Sequence, residues 1–270
     1  MQMKRLDSYD FDKMIIESID EVYCFDPQTN DLLFFFDQIK SGEITSEADV
    51  VYAEGRQGVQ LAAFDRNKTA GFSCENGYVQ AGALAVQLGS ELENGTVAYE
   101  VMETVANPDS TLAAGVFTLA ENPTGNVKGV YLLGSDGTVT EKLASTKYTQ
   151  GTTTVETVTV GTITLDESVR VNNKYPSSIL VYYNASTNTG KKIVNAGDKF
   201  SSNIKLVINF VAQEPCSGDK YLMQCIMPNA KASGTFSLSA GNDPAVHNFE
   251  ATALLGICSE DKELFTITMV

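Results

Sequence analysis

The chain has a single histidine, His247, and no tryptophan. With one imidazole available, any Ser-His-Asp or Cys-His mechanism has to run through His247. That residue lies in Asp243-Pro-Ala-Val-His-Asn248, which reads as a turn entering a C-terminal strand. A solvent-exposed turn histidine is the expectation, not a catalytic base. Without tryptophan the aromatic platforms common at sugar sites are missing, although carboxylate pairs for glycoside chemistry form in space and stay open. Bases are scarce too: 19 Lys and Arg face 34 Asp and Glu, a net charge of −15. Lys4-Arg5 and Lys191-Lys192 are the only adjacent basic pairs, so a DNA-capturing groove is excluded. No apolar run approaches the roughly 20 residues that cross a bilayer. Met1 to Asp12 lacks the apolar stretch of a signal peptide, and synthesis in a cytoplasm without export is expected.

Five cysteines, Cys24, Cys74, Cys216, Cys225 and Cys258, are an odd and scattered set. Reduced, buried thiols are expected of them, and Cys216 with Cys225 cannot by themselves complete a zinc site. Asp10-Phe-Asp12 is an isolated acidic pair and no calcium loop is present. Neither glycine-rich nucleotide motif occurs. Ser202-Asn-Ile-Lys205 and Ser217-Gly-Asp-Lys220 match S-x-x-K, but S-D-N and K-T-G are both absent. Asn67, Asn94 and Asn184 begin N-x-[ST] triplets, read as polar loops. No catalytic, cofactor-binding or metal-binding residue is assigned, no cofactor is expected, and an enzyme is not.

What the chain does have is strands. Ile19 to Asp26 alternates, Asp26-Pro-Gln-Thr-Asn30 is a turn, and Leu32 to Phe36 resumes, a β-hairpin by composition, with a short helix over Asp12 to Glu21 as the alternative. Ile44 to Tyr52, Gln60 to Phe64 and Thr69 to Cys74 extend around a loop at Gly55 to Gly58. One helix is expected at about 78–92, capped by Asn76, with Ala81, Leu84, Ala85, Leu88 and Leu92 on one face. Beyond Asn94-Gly95, turns separate Val116 to Ala120, Lys128 to Leu133, Val139 to Leu143, Thr152 to Leu165, Ser178 to Tyr183, Ile204 to Ala212 and Tyr221 to Met227. These are rich in β-branched and aromatic residues and spaced as in a sandwich or barrel. Gly115 to Leu143 and Gly161 to Ile193 share a loose three-strand plan, either a weak duplication or the common vocabulary of hairpins.

Two passages carry a family resemblance. Gly55-Arg-Gln-Gly-Val-Gln-Leu-Ala-Ala-Phe-Asp-Arg-Asn-Lys-Thr-Ala-Gly-Phe-Ser73 leads to the helix ending Gly89-Ser-Glu-Leu92. Met227-Pro-Asn-Ala-Lys-Ala-Ser-Gly-Thr-Phe236, read as a proline-led hairpin, is followed by Phe249 to Leu254 and a closing strand from Leu264 to Val270. This order resembles the tail tube (major tail) proteins of long-tailed bacteriophages, over about the first hundred and last sixty residues.

The resemblance implies a mainly β fold, a β-sandwich or barrel with one flanking helix. Residues 1–100 and 205–270 would form the core, and 100–205 an insertion or outer domain. It further implies a non-enzymatic virion protein whose subunits join sheets into hexameric rings, and rings that stack into a hollow tube. The partners implied are other copies, the tape measure, the baseplate or tail tip and a sheath; there is no membrane. DNA would pass through an acidic bore without specific binding, and assembly would take place in the host cytoplasm. Alternatives are a head decoration or tail-terminator protein, a β-sandwich module binding a small molecule or glycan, and an unrecognised hydrolase.

Overall fold

The computed structural model of the chain describes residues 14–109, 111–215, 218–237, 246–255 and 262–269. Its elements in chain order begin with Ile15–Phe25 (β1), Leu32–Phe36 (β2), Ile39–Glu54 (β3), Gln60–Asn76 (β4) and the helix Ala81–Leu88 (α1). Then come Glu93–Ala106 (β5), Val116–Thr118 (β6), Gly129–Leu133 (β7), Val139–Lys142 (β8), Tyr148–Val155 (β9), Val158–Leu165 (β10) and Ser178–Lys192 (β11). Asn203–Gln213 (β12), Lys220–Ala232 (β13), His247–Ala253 (β14) and Thr266–Met269 (β15) complete the set. The protein is mainly β with one α-helix. It divides into two compact units: Met1–Leu92 with Ile193–Val270, and Glu93–Lys192.

In the first unit the strand order is β2-β1-β12-β13-β14-β4-β3, with β15 also paired to β13, and all pairings are antiparallel. Alternation in β12 and β13 places Ile204, Leu206, Ile208, Met223, Cys225 and Met227 inward, with Phe34, Phe36, Phe72 and Phe249 in the same core. Phe34, Phe36 and Phe249 meet edge-on or tilted at centroid distances of 5.0 to 5.8 Å. The sheet folds across itself at Gly42, where a Cβ would come within 2.4 Å of Ile19 Cδ1. The path does not close into a barrel, because β2 and β3 each pair on one side only.

β13 owes its dual pairing to Pro228. A register shift lies between Ile204↔Ala230 and Leu206↔Met227, so Pro228 sits at a bulge, where a missing N–H is tolerated. On either side β13 changes neighbour, from β15 at Met223–Ile226 to β14 at Ala230–Ala232. The proline-led passage thus belongs to one continuous strand ending at Ala232, and that end pairs antiparallel with β14.

The helix is shorter than the expected 78–92. Gln80 precedes it without a side-chain cap, and Asn76 is instead buried at the end of β4, donating from Nδ2 to Tyr78 O at 2.8 Å. Gly89, at φ 64°, ends it, with the Ser90 N–H bonding Ala85 O. Of the expected inward face, Ala85 and Leu88 are buried and Leu84 is half-buried.

The second unit is two sheets, β6-β10-β9 and β5-β11-β7-β8, around Phe117, Leu119, Val130, Ile163, Leu165, Ile179, Val181 and Tyr183. Tyr183 is fully buried; its hydroxyl donates to Glu103 Oε1 at 2.7 Å, and the same carboxylate accepts from the Ala120 N–H. Three expectations fail here. Thr152 to Leu165 is two strands, reversed at Glu156 (φ 55°), a residue with no turn signature. The polar stretch Asn184 to Gly190, expected as a turn, continues β11 and pairs with β5, a strand the sequence reading missed. The two similar passages pair with each other, β6 with β10 and β7 with β11, while Thr189 to Ile193 supplies only the end of β11 and not a third strand.

Candidate assembly surface

The β3–β4 pair leaves the first unit as a two-stranded ribbon. β14 accompanies β4 only from Gly71 to Asn76, so from Ser46 and Ala70 to the tip no third strand among the described residues flanks the pair. Nine residues of β3, at about 3.3 Å each, carry it about 30 Å. Every residue from Thr45 to Thr69 is exposed except the half-buried Gly55. Gln57 (φ 68°) and Gly58 (φ 74°) turn the chain at the tip. Between the charged pair Asp49–Arg66 and the tip, this ribbon is nonetheless mostly apolar. Val51 opposes Phe64 and Ala53 opposes Ala62 on one face; Tyr52 opposes Ala63 on the other. Leu61 is 71% exposed and Phe64 54%. An isolated hairpin is marginal in water, and exposed apolar residues in contiguous rows mark a surface that another molecule covers.

In the first unit, among the described residues, β2, β3 and β15 each have a strand on one side only. Such edges carry unpaired N–H and C=O groups that template pairing with another chain. Beside them the core is unfinished. Ile16 opposes the fully buried Ala212, and Ile267 opposes the fully buried Cys225, so both side chains lie on the interior side. Yet they are 59% and 50% exposed. The space left is a groove of about 580 Å³, lined by Ile16, Ile19, Ile44, Phe210, Met223 and Ile267 among others.

The outward face of β3-β4-β14 is acidic. Glu43, Ser73 and Glu250 form one register row and Ser41, Glu75 and Asn248 the next, opposite to the inward Cys74, Phe72 and Phe249. No base lies on either row. On β1 and β2 the outward face is aromatic instead, with Tyr23 between Phe25 and Phe35 at centroid distances of 6.4 and 6.2 Å.

His247, expected in an exposed turn, is 2% exposed at the start of β14. Its Nδ1 accepts from the Gln80 N–H, so the proton resides on Nε2, 2.8 Å from Gln87 Oε1. Gln87 Nε2 in turn donates to Asn248 O. Burial lowers the imidazole pKa, and this triad pins α1 to β14. The alternation Val246-His247-Asn248 could have indicated burial, since Phe249 and Ala251 share the parity of His247.

Cys24, Cys74 and Cys225 are free and buried, and burial raises all three pKa values, Cys74 to about 12 and Cys225 to about 11. Cys216 and Cys258, Ser217 of the second S-x-x-K match, and Asp10-Phe-Asp12 lie outside the described residues. In the first match Lys205 turns away from Ser202 to bond Asn30 Oδ1 at 3.0 Å. Asn67 and Asn184 lie in strands, and Asn94 lies in β5. Among the described residues no group of three His, Cys, Asp or Glu is placed to hold a metal ion, and no helix is long and apolar enough to cross a membrane.

The profile of the YomU/Tube protein family matches residues 14–264, a span that includes the ribbon, the open-edged strands β2 and β3, and the whole second unit. No curated protein matches the chain.

Proposed function

The chain belongs to the YomU/Tube protein family, and from that premise we propose that it is a structural subunit of a phage tail tube, assembling into stacked hexameric rings that conduct the genome. The observation that carries this reading is the pair of open edges at the two ends of one sheet path, β2 and β3. Two different edges on one subunit join head to tail, and a heterologous contact closes into a ring when its rotation permits. Joining satisfies the backbone groups that a lone subunit leaves to water.

The acidic rows Glu43–Ser73–Glu250 and Ser41–Glu75–Asn248 are the wall proposed to face the bore, where like charge keeps a polyanion from sticking. The partners that follow are further copies, a tape measure, a tail tip or baseplate and, in a contractile tail, a sheath. Residues 93–192 form the proposed insertion. Its two ends are adjacent, since Glu93 pairs with Lys192 and their side chains form a 3.2 Å ion pair, as an inserted domain requires. Negative-stain microscopy of the purified protein tests the reading. Rings or tubes are expected; a protein that stays monomeric at high concentration, with no tail density attributable to it in virions, removes it.

A further inference from the structure

We propose that the groove between β1 and β3 is the seat of this chain's own N-terminal segment, Tyr9 to Lys13 folding back along β1 as an added strand with Phe11 entering the apolar floor. The inference is independent of the tube reading. It begins at a seam in the sheet path. β2 covers β1 only from Val22 to Phe25, so from Ile15 to Glu21 the edge of β1 away from β12 has no strand beside it among the described residues. β3 passes on the far side of the gap with its own edge open. The two strands meet where a Cβ on Gly42 would lie 2.4 Å from Ile19 Cδ1, and the groove opens beyond that point, lined by Ile16 and Ser18 of β1 and by Ile44 and Ser46 of β3. An added strand would pair with backbone groups that this edge of β1 leaves to water.

The floor is interior sheet surface. Ile16 opposes Ala212 and Ile267 opposes Cys225, both fully buried, yet Ile16 and Ile267 are half-exposed. The occupant has to be narrow, extended and apolar along one side. Residues 1–13 lie outside the described residues, and within them Tyr9-Asp10-Phe11-Asp12-Lys13 has that pattern, with apolar and charged positions alternating at the strand period of two.

Position makes it the segment of the same copy. Met14 packs against the core that the groove leaves open. Phe11 is three residues from that anchor, within about 10 Å of it along an extended chain. A segment so tethered meets the groove at an effective concentration on the order of millimolar, which another copy in dilute solution does not reach. Charge agrees with this choice. The groove carries Lys40 and Glu17, and Glu17 is ion-paired with Lys220, so two bases stand with one acid. Tyr9 to Lys13 brings the complement: Asp10, Asp12 and Lys13. Residues 1–13 as a whole hold three acids and three bases in a chain of net charge −15, so they escape the repulsion that a second copy meets.

The test uses the full-length double variant Phe11→Cys with Ile267→Cys, in a background with Cys216→Ser and Cys258→Ser, diluted until light scattering finds only monomer. Ile267 is half-exposed and sits on β15, far along the chain from Phe11, so a link between them does not follow from nearness in sequence. Mild oxidation is expected to give a disulfide within one chain, a monomer whose peptide map joins positions 11 and 267. No link, or a link only between chains, overturns the proposal. Hydrogen exchange supplies a second readout that needs no engineered thiol. Amides of residues 15–21 that do not bond β12 should exchange about tenfold faster or more in a chain lacking residues 2–12 than in the full chain. Equal rates in the two chains likewise overturn it.

Discussion

The Nε2 atom of His247 lies 2.8 Å from Oε1 of Gln87, inside the first unit and out of water. Both imidazole nitrogens are committed: Nδ1 accepts from a backbone N–H and Nε2 donates to an amide oxygen. A second proton has no acceptor. The folded-state pKa is lowered by burial, so below the unfolded value of about 6.5 the unfolded chain binds more protons. Stability is therefore full above that value and falls as pH drops through it toward the folded pKa. Urea midpoints measured from pH 8 to 5 should decline, and His247→Phe should flatten that decline; an unchanged slope in the variant would show that His247 is not its source.

Gln87→Ala removes the acceptor for His247 and the donor to Asn248 O together. Leaving buried polar groups unpaired costs about 1–3 kcal/mol each, so a loss of roughly 2–4 kcal/mol is expected from chemical denaturation.

Two glycines separate backbone strain from collision. Gly137 has φ 79° and open space around it, so Gly137→Ala should cost only the left-handed strain, about 1 kcal/mol. Gly89 has φ 64°, and a Cβ there would lie 1.9 Å from Phe200 O, so the helix terminus would have to move. Gly89→Ala should cost well over twice as much, or prevent folding; similar thermal midpoints for the two variants would contradict this account.

Thiol titration of the native protein should find no reaction at Cys24, Cys74 or Cys225, whose thiolates are suppressed by burial. All five should react in denaturant. Early labelling of Cys225, identified by peptide mapping, would mean that the sheet opens more easily than its packing implies.

Val51→Lys with Phe64→Lys changes only exposed side chains, so stability should stay within about 0.5 kcal/mol of the parent. Self-assembly, followed by light scattering and microscopy, should be lost. Tubes of normal length from this double variant would remove the ribbon from any assembly role.

The hairpin of β1 and β2 was legible because its alternation and the Asp26 to Asn30 turn are local features: Asp26 Oδ1 accepts from the Gln28 N–H at 2.7 Å. The tip at Gly55 to Gly58 was legible for the same reason. β5 was not, since Asn94 and Gly95 at its start carry turn chemistry and its partner β11 lies far along the chain. Nor was the reversal at Glu156, which tertiary pairing of β9 with β10 imposes on a residue with no preference for it.

Composition and short-range pattern alone determined a β-rich, acidic chain with one imidazole and a helix between two sets of strands. Which strand ends up without a neighbour is a property of the whole path, since β2 and β3 are consecutive in the chain yet stand at its opposite ends. The burial of His247 was likewise decided by α1 arriving from 160 positions away to cover it. Periodicity reports which face of a strand turns inward; only the folded arrangement supplies what lies opposite that face, or leaves it bare.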